Sequence, residues 1–301
     1  MAAVSFPLAK RIPKLTAVAW VVTILISTVP DILWTALGAG DVTPLTWAKM
    51  SLLLGLALVS AVWTPLRPLR NYFIAMLAFF TLFQVIQRVD FTWPALQNLL
   101  GGSVFDERMQ AEQTGKLVVS LGMVVVLLLL GLRRRDFFLT RGNLRAPITP
   151  VRLLGFPRAE PWPSFGIQWA FYIAIALGVL QYLALRPSPA TMGMILPLLP
   201  SILFYAALNA FNEEMTYRAP MIATLEPASG SRQALWMSAS FFGIAHYFGT
   251  PGGILGALAS IFMGWILGKA MIETRGLFWA WWIHFLSDVV IFAFLTMALI
   301  S

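Results

Sequence analysis

The chain has 301 residues, of which 59% are hydrophobic and 11% charged, with a formal net charge of +8 and no cysteine. A soluble domain carries about 25% charged residues, so a chain this apolar requires somewhere to hide its surplus, and a lipid bilayer supplies it. The missing cysteine excludes disulfides, thiol nucleophiles and thiolate metal sites. The basic residues lie in short loops between apolar runs, where they face lipid headgroups, which argues against a nucleic-acid partner.

A spanning helix takes roughly 20 apolar residues to cross about 30 Å of hydrocarbon. Runs of this kind predict spans near 15–37, 45–65, 71–87, 117–132, 165–185, 192–211, 233–248, 253–272 and 277–300. The fold class is therefore all-α, a polytopic transmembrane bundle of about eight or nine spans. The first run follows Lys10, Arg11 and Lys14 and exceeds the apolar core of a cleaved signal peptide, so it reads as a retained span. With the N-terminus cytoplasmic, sixteen of the 21 Lys and Arg residues fall on the inside. That bias predicts an N-in, multi-pass protein of the cell membrane.

Residues 1–135 form an N-terminal four-span region whose role the sequence leaves open, 136–164 a basic, Pro-rich cytoplasmic linker, and 165–301 a core holding most of the polar chemistry. The loop 88–116 mixes charges with Trp93, Leu96, Leu99 and Leu100, the pattern of a helix lying flat on the outer surface. Gly256, Ser260, Gly264 and Gly268 recur every four residues and predict a face of close helix packing. Phe278, Trp279, Trp281 and Trp282 read as an aromatic belt where the last span enters the membrane.

Ionisable groups inside spans cost about 2.5–3.5 kcal/mol each on insertion scales and are functional candidates for that reason. They are Asp31, then Glu213, Glu214, Arg218, His246, His284 and Asp288. In a continuing helix Glu214 and Arg218 stack four apart as an ion pair. Glu213 is then turned away by about 100° and stays free to act as a base. His284 and Asp288 share one face at the same spacing; the carboxylate either orients the ring or points with it at one substrate atom. Glu213 and His246 each lie twelve residues from the cytoplasmic helix ends read near Leu225 and Ala234, a depth of roughly 18 Å. Asp288 and His284 lie at a comparable level from Leu277. Singly, each group has a plainer reading as a packing or helix–helix clasp residue; the shared depth predicts one wet pocket.

Three ordered motifs emerge: Glu213-Glu214-x-x-x-Arg218, Phe242-x-x-x-His246 and His284-x-x-x-Asp288. Over about residues 195–295 the chain thereby resembles the CPBP intramembrane proteases, which include type II CAAX prenyl endopeptidases and bacterial bacteriocin-processing or immunity proteins. CAAX-processing members commonly end the last motif in Asn, where this chain has Asp288. The resemblance implies that Glu213 and His246 activate water, that His284 and Asp288 face the scissile carbonyl and its oxyanion, and that Glu214, Arg218 and Phe242 support them. An ionised Asp288 would repel an oxyanion, so a protonated Asp288, one that orients His284, and one that binds metal all stay open. A zinc ion on Glu213, His246 and His284 fits a two-His, one-acid site, whereas a metal-free Glu/His mechanism is chemically sufficient and is the preferred reading. The expected function is intramembrane hydrolysis of a membrane-associated peptide or protein reached from the cytoplasmic side. The alternatives are a peptide-binding or immunity protein that does not cleave, and a proton-coupled transporter; no second copy of these motifs in the N-terminal half supports the repeat that many transporters show.

Overall fold

The structure, a computed structural model, describes residues 13–249 and 252–300. Lys10 and Arg11, which enter the orientation count, lie outside the described residues. In chain order the helices are α1 (Pro13–Ile26), α2 (Val29–Ala36), α3 (Thr43–Val62), α4 (Arg70–Ile86), α5 (Pro94–Leu99), α6 (Val104–Leu129) and α7 (Trp162–Leu185). Then follow α8 (Pro189–Gly193), α9 (Leu199–Glu213), a π-helical stretch Glu214–Arg218, α10 (Ala219–Ser229), α11 (Ser231–Ala245), α12 (Gly253–Thr274) and α13 (Phe278–Ile300).

Among the described residues, seven helical stretches are long and apolar enough to cross a membrane, or eight if α1 and α2, bent by 45°, make one broken span. The break falls where Pro30 opens α2, because proline has no N–H to continue the ladder and its ring crowds the preceding turn. The seventh expected span, 233–248, forms α11, whose 15 residues extend only about 22 Å at 1.5 Å per residue. The fourth span begins earlier than its hydropathy suggests. Ser103 accepts from the Asp106 backbone N–H at 3.1 Å, and Asp106 Oδ2 accepts from the Ser103 N–H at 3.0 Å and its hydroxyl at 2.7 Å. This reciprocal cap starts α6 at Val104, so residues 104–116, expected on the membrane surface, are the first turns of a spanning helix.

The chain divides into two compact units: Met1–Thr81 with Val125–Phe137 and Tyr217–Lys269, and Leu82–Val124 with Phe138–Thr216 and Ala270–Ser301. In the first, α1 packs on α10 and α11, and the Thr23 and Tyr72 hydroxyls share a buried hydrogen bond of 2.8 Å. Asp31 of α2 forms an ion pair with Lys49 of α3, which accounts for a carboxylate whose place the sequence left open. Part of the small-residue stripe on α12 serves close packing on its neighbours: Gly264 meets Ala239 and Phe242, and Gly268 meets Leu235 and Ile222.

In the second unit α7 and α9 both pack along α13. Its apolar core joins Phe105 and Met109 of α6, Ile202, Tyr205 and Ala206 of α9, and Phe292 of α13. The approach of α7 to α13 is tight at Gly166, where an added Cβ would overlap the Trp279 ring. The basic segment before α7 is stitched to the turn between α12 and α13. The Asn143 N–H donates to the Thr274 carbonyl and the Leu277 N–H to the Thr140 carbonyl, each at 2.8 Å. Glu273 accepts from the Thr149 N–H at 3.0 Å and from the Trp162 indole at 3.1 Å. Gly142 takes a left-handed φ of 76°, and a Cβ there would meet the Thr274 carbonyl at 2.7 Å. Two rings of the expected aromatic belt turn inward: Trp279 joins this clasp by donating to the Leu144 carbonyl at 3.0 Å, and Trp281 donates to the Ala207 carbonyl of α9 at 2.9 Å.

Candidate active site

The second unit places its polar chemistry by helix periodicity. On α6, Phe105, Met109, Gln113, Lys116 and Ser120 follow at helical steps of three or four, which is one face. Ile202, Tyr205, Asn209 and Asn212 do the same on α9, and Phe292, Asp288 and His284 on α13. The apolar residues of each face meet in the core described above. The polar residues of the same faces therefore meet further along, and the fixed packing of three helices sets their distances.

His284 lies at the centre. Its Nδ1 is 2.8 Å from Glu214 Oε1, and its Nε2 is 3.6 Å from both Glu213 Oε2 and Asp288 Oδ2. An ionised carboxylate only accepts, so Nδ1–H is assigned as donor to Glu214. The two 3.6 Å separations exceed hydrogen-bond length and are ion-pair contacts, beside which a single water can touch both partners. His284, Glu214 and Asp288 are all buried.

Around this centre runs a network of neutral amides with one ammonium. Lys116 Nζ donates to Asn209 Oδ1 at 2.8 Å, to Glu112 Oε1 at 3.0 Å and to Glu213 Oε1 at 3.2 Å. Asn209 Nδ2 donates to Asp288 Oδ2 at 2.9 Å, and Gln113 Nε2 donates to Asn209 Oδ1 at 2.9 Å. Asn212 donates to the Gln113 side chain at 3.2 Å and accepts from the Ser120 hydroxyl at 3.0 Å. Neither Lys116 nor any of these amides was among the residues expected from sequence. The available signal was the unbroken face from Phe105 to Ser120, which the charges of 106–116 concealed.

Glu213, Glu214, His284 and Asp288 are thus brought together, but the two glutamates do not diverge as a regular helix implies. Both reach one imidazole, one at each ring nitrogen. The two nitrogens lie on opposite sides of the ring, and long carboxylate arms from consecutive residues converge on it. The backbone also changes type here: from Glu214 to Arg218 it is π-helical, and i→i+5 bonding widens the turn. Four-residue stacking of Glu214 on Arg218 no longer follows from the spacing. Single π turns of this kind occur frequently at functional sites.

Arg218, Phe242 and His246 belong to the first unit. Arg218 is fully buried, with its guanidinium 4.5 Å from the centre of the Phe242 ring, a cation–π contact that ties the first motif to the second. His246 stands at the C-cap of α11 rather than inside the helix. Its Nδ1 lies 2.9 Å from the Phe242 carbonyl, so Nδ1–H donates there and Nε2 is the nitrogen left with a lone pair. Its ring packs 4.5 Å from that of Phe242.

A groove of about 350 Å³ opens in the second unit, lined by Leu139, Thr140, Arg141, Phe211, Leu277, Phe278 and Trp281. Trp281 precedes His284 by three residues and Phe211 precedes Glu214 by three, so the groove runs beside the faces that carry the site. Among the described residues, no group of three or more His, Asp or Glu side chains has the arrangement of a metal site. Of the expected zinc set, Glu213 and His284 belong to the second unit and His246 to the first.

Fold and site together define a multi-pass helical membrane protein with a carboxylate–imidazole centre among its spans. Residues 195–290 match the model of the type II CAAX prenyl endopeptidase Rce1-like family, in agreement with the resemblance read from the three motifs. The matched stretch covers about a third of the chain, and the likeness there is to a family of prenyl endopeptidases. No curated protein and no solved structure matches the chain.

Proposed function

We propose that the chain hydrolyses a peptide bond in a membrane-associated peptide, with Glu213 as the base that activates water. The observation that carries this reading is the placement of Glu213 Oε2 3.6 Å from His284 Nε2, close enough for one water lying beside the pair to contact both. Glu213 takes the water proton as the oxygen attacks the scissile carbonyl carbon. When protonated at Nε2, His284 donates to the oxyanion that forms there, and Glu214 at Nδ1 keeps the ring turned to the substrate. The proton held by Glu213 passes to the amide nitrogen, the C–N bond breaks, and a carboxylate and an amine leave. Asp288, tied to Asn209 at 2.9 Å, acts on this reading by orienting His284 rather than by facing the oxyanion as an ionised group. Substrate reaches the centre along the groove beside Phe211 and Trp281.

The test is incubation of the purified protein in lipid bicelles with membrane peptides, with mass spectrometry of the products. The account expects paired fragments with a new carboxylate and a new amine terminus, formed at the same rate with and without a chelator. Peptide retained intact on the protein would establish the non-cleaving alternative. Loss of cleavage in chelator would refute the metal-free steps.

A further inference from the structure

We propose that Lys116, supplied by α6 from outside the matched segment 195–290, is the counter-charge on which the carboxylates Glu213 and Asp288 depend, and hence a positioning residue for the hydrolysis proposed above. This rests on that reading for its catalytic consequence, whereas the electrostatic link stands on geometry alone. Glu213 and Asp288 each place an oxygen 3.6 Å from the same nitrogen of His284. Two carboxylates converging on one point repel, and the low exposure of both, 15% and 5%, leaves little water to screen them. Lys116 answers both at once. It donates directly to Glu213, and it reaches Asp288 through Asn209, whose carbonyl oxygen accepts from the ammonium while its amide donates to Asp288.

The orientation of Asn209 is fixed by its partners, because Lys116 and Gln113 are donors on one side and Asp288 is an acceptor on the other. Accepting from an ammonium polarises the amide and strengthens its donation onward. The bonds from Gln113 to Asn209 and Asn212 hold the relay from the α6 side. Glu112 is a lesser partner: it sits one turn back on the same helix, its side chain 44% exposed, where ion pairs contribute little. A span with no counterpart in the motif-bearing core thereby acquires a role, which is to carry the positive charge that Asp288 and Glu213 require.

The test is a double-substitution cycle of Lys116→Met and Asp288→Asn, with Lys116→Arg and Glu112→Gln alongside, in the full chain in bicelles. Two quantities are read: kcat and KM on a cleaved peptide, and the thermal unfolding midpoint by tryptophan fluorescence. Displacement of a positioned group costs up to about a hundredfold, so Lys116→Met is expected to lower kcat by about tenfold to a hundredfold with KM little changed. Lys116→Arg restores most of that rate, and Glu112→Gln lowers it by less than Lys116→Met does. In the double variant the loss is smaller than the product of the single losses. Its unfolding also occurs at a higher temperature than in Lys116→Met, because the neutral amide that replaces the Asp288 carboxylate no longer needs the ammonium. Wild-type kcat and midpoint in Lys116→Met, or independent effects of the two substitutions in both readouts, would overturn the proposal. If the unmodified chain cleaves nothing, the protease reading fails separately, and coupling in the unfolding midpoint still decides whether Lys116 is the counter-charge.

Discussion

Removing Glu214 tests the orientation of His284, because Glu214 touches the ring at Nδ1 and has no contact with substrate in the proposed steps. The carboxylate is fully buried and His284 is 3% exposed, so the bond at 2.8 Å between them has no water to replace it. Glu214→Gln keeps an acceptor but loses its charge, and the difference between a charged and a neutral hydrogen bond is about 1 kcal/mol. Glu214→Ala leaves Nδ1–H buried without its acceptor, at a cost of about 1–3 kcal/mol. If that loss falls on the transition state, a factor of ten for each 1.36 kcal/mol gives about fivefold for Gln and about fivefold to 150-fold for Ala. Steady-state cleavage of a fluorogenic membrane peptide should show that order in kcat, with KM nearly constant. Unfolding midpoints measured beside it separate a misturned ring from a chain that has lost its structure. Wild-type kcat in a folded Glu214→Ala protein would refute the claim that this carboxylate holds the imidazole.

Other perturbations address the scaffold. Gly166→Ala forces a methyl group into the Trp279 ring; overpacking of this sort costs about 1–3 kcal/mol, so the unfolding midpoint should fall, and an unchanged midpoint would contradict the close α7–α13 approach. Ser103→Ala removes the N-cap hydroxyl on which α6 starts. Loss of a cap typically costs about 1 kcal/mol, and hydrogen exchange should quicken at the amides of 103–107 while the middle of α6 stays protected. Lys49→Met leaves Asp31 without its partner on α3; a lower midpoint, recovered in the double variant with Asp31→Asn, is the expected result, and additive losses would argue against the pair.

The parts of the fold that hydropathy governs were legible, and those that depend on local capping and side-chain reach were not. The last span and its His284–Asp288 pair could be placed because the run 277–300 is continuously apolar and the four-residue spacing holds in the regular helix α13. The start of α6 was missed because charge counting treated 106–116 as surface, although Ser103 and Asp106 form an S-x-x-D cap readable in the sequence. That error hid Lys116, the ammonium that joins Glu213 to the amide network. The divergence expected of Glu213 and Glu214 assumed 100° per residue and a point-like target. A ring with two nitrogens, beside a π-helical turn, lets neighbours share it. Spacing arguments locate a helix face well, and they say little about where three flexible bonds carry a carboxylate.

If Glu213 is the base for water attack, the decisive quantity is the rate of peptide cleavage by Glu213→Gln in purified, folded protein. Loss of a general base costs about 10²–10⁴ in rate, so a fall of that size is expected, with the unfolding midpoint preserved. Cleavage by the Gln variant at the rate of the unmodified chain would contradict it.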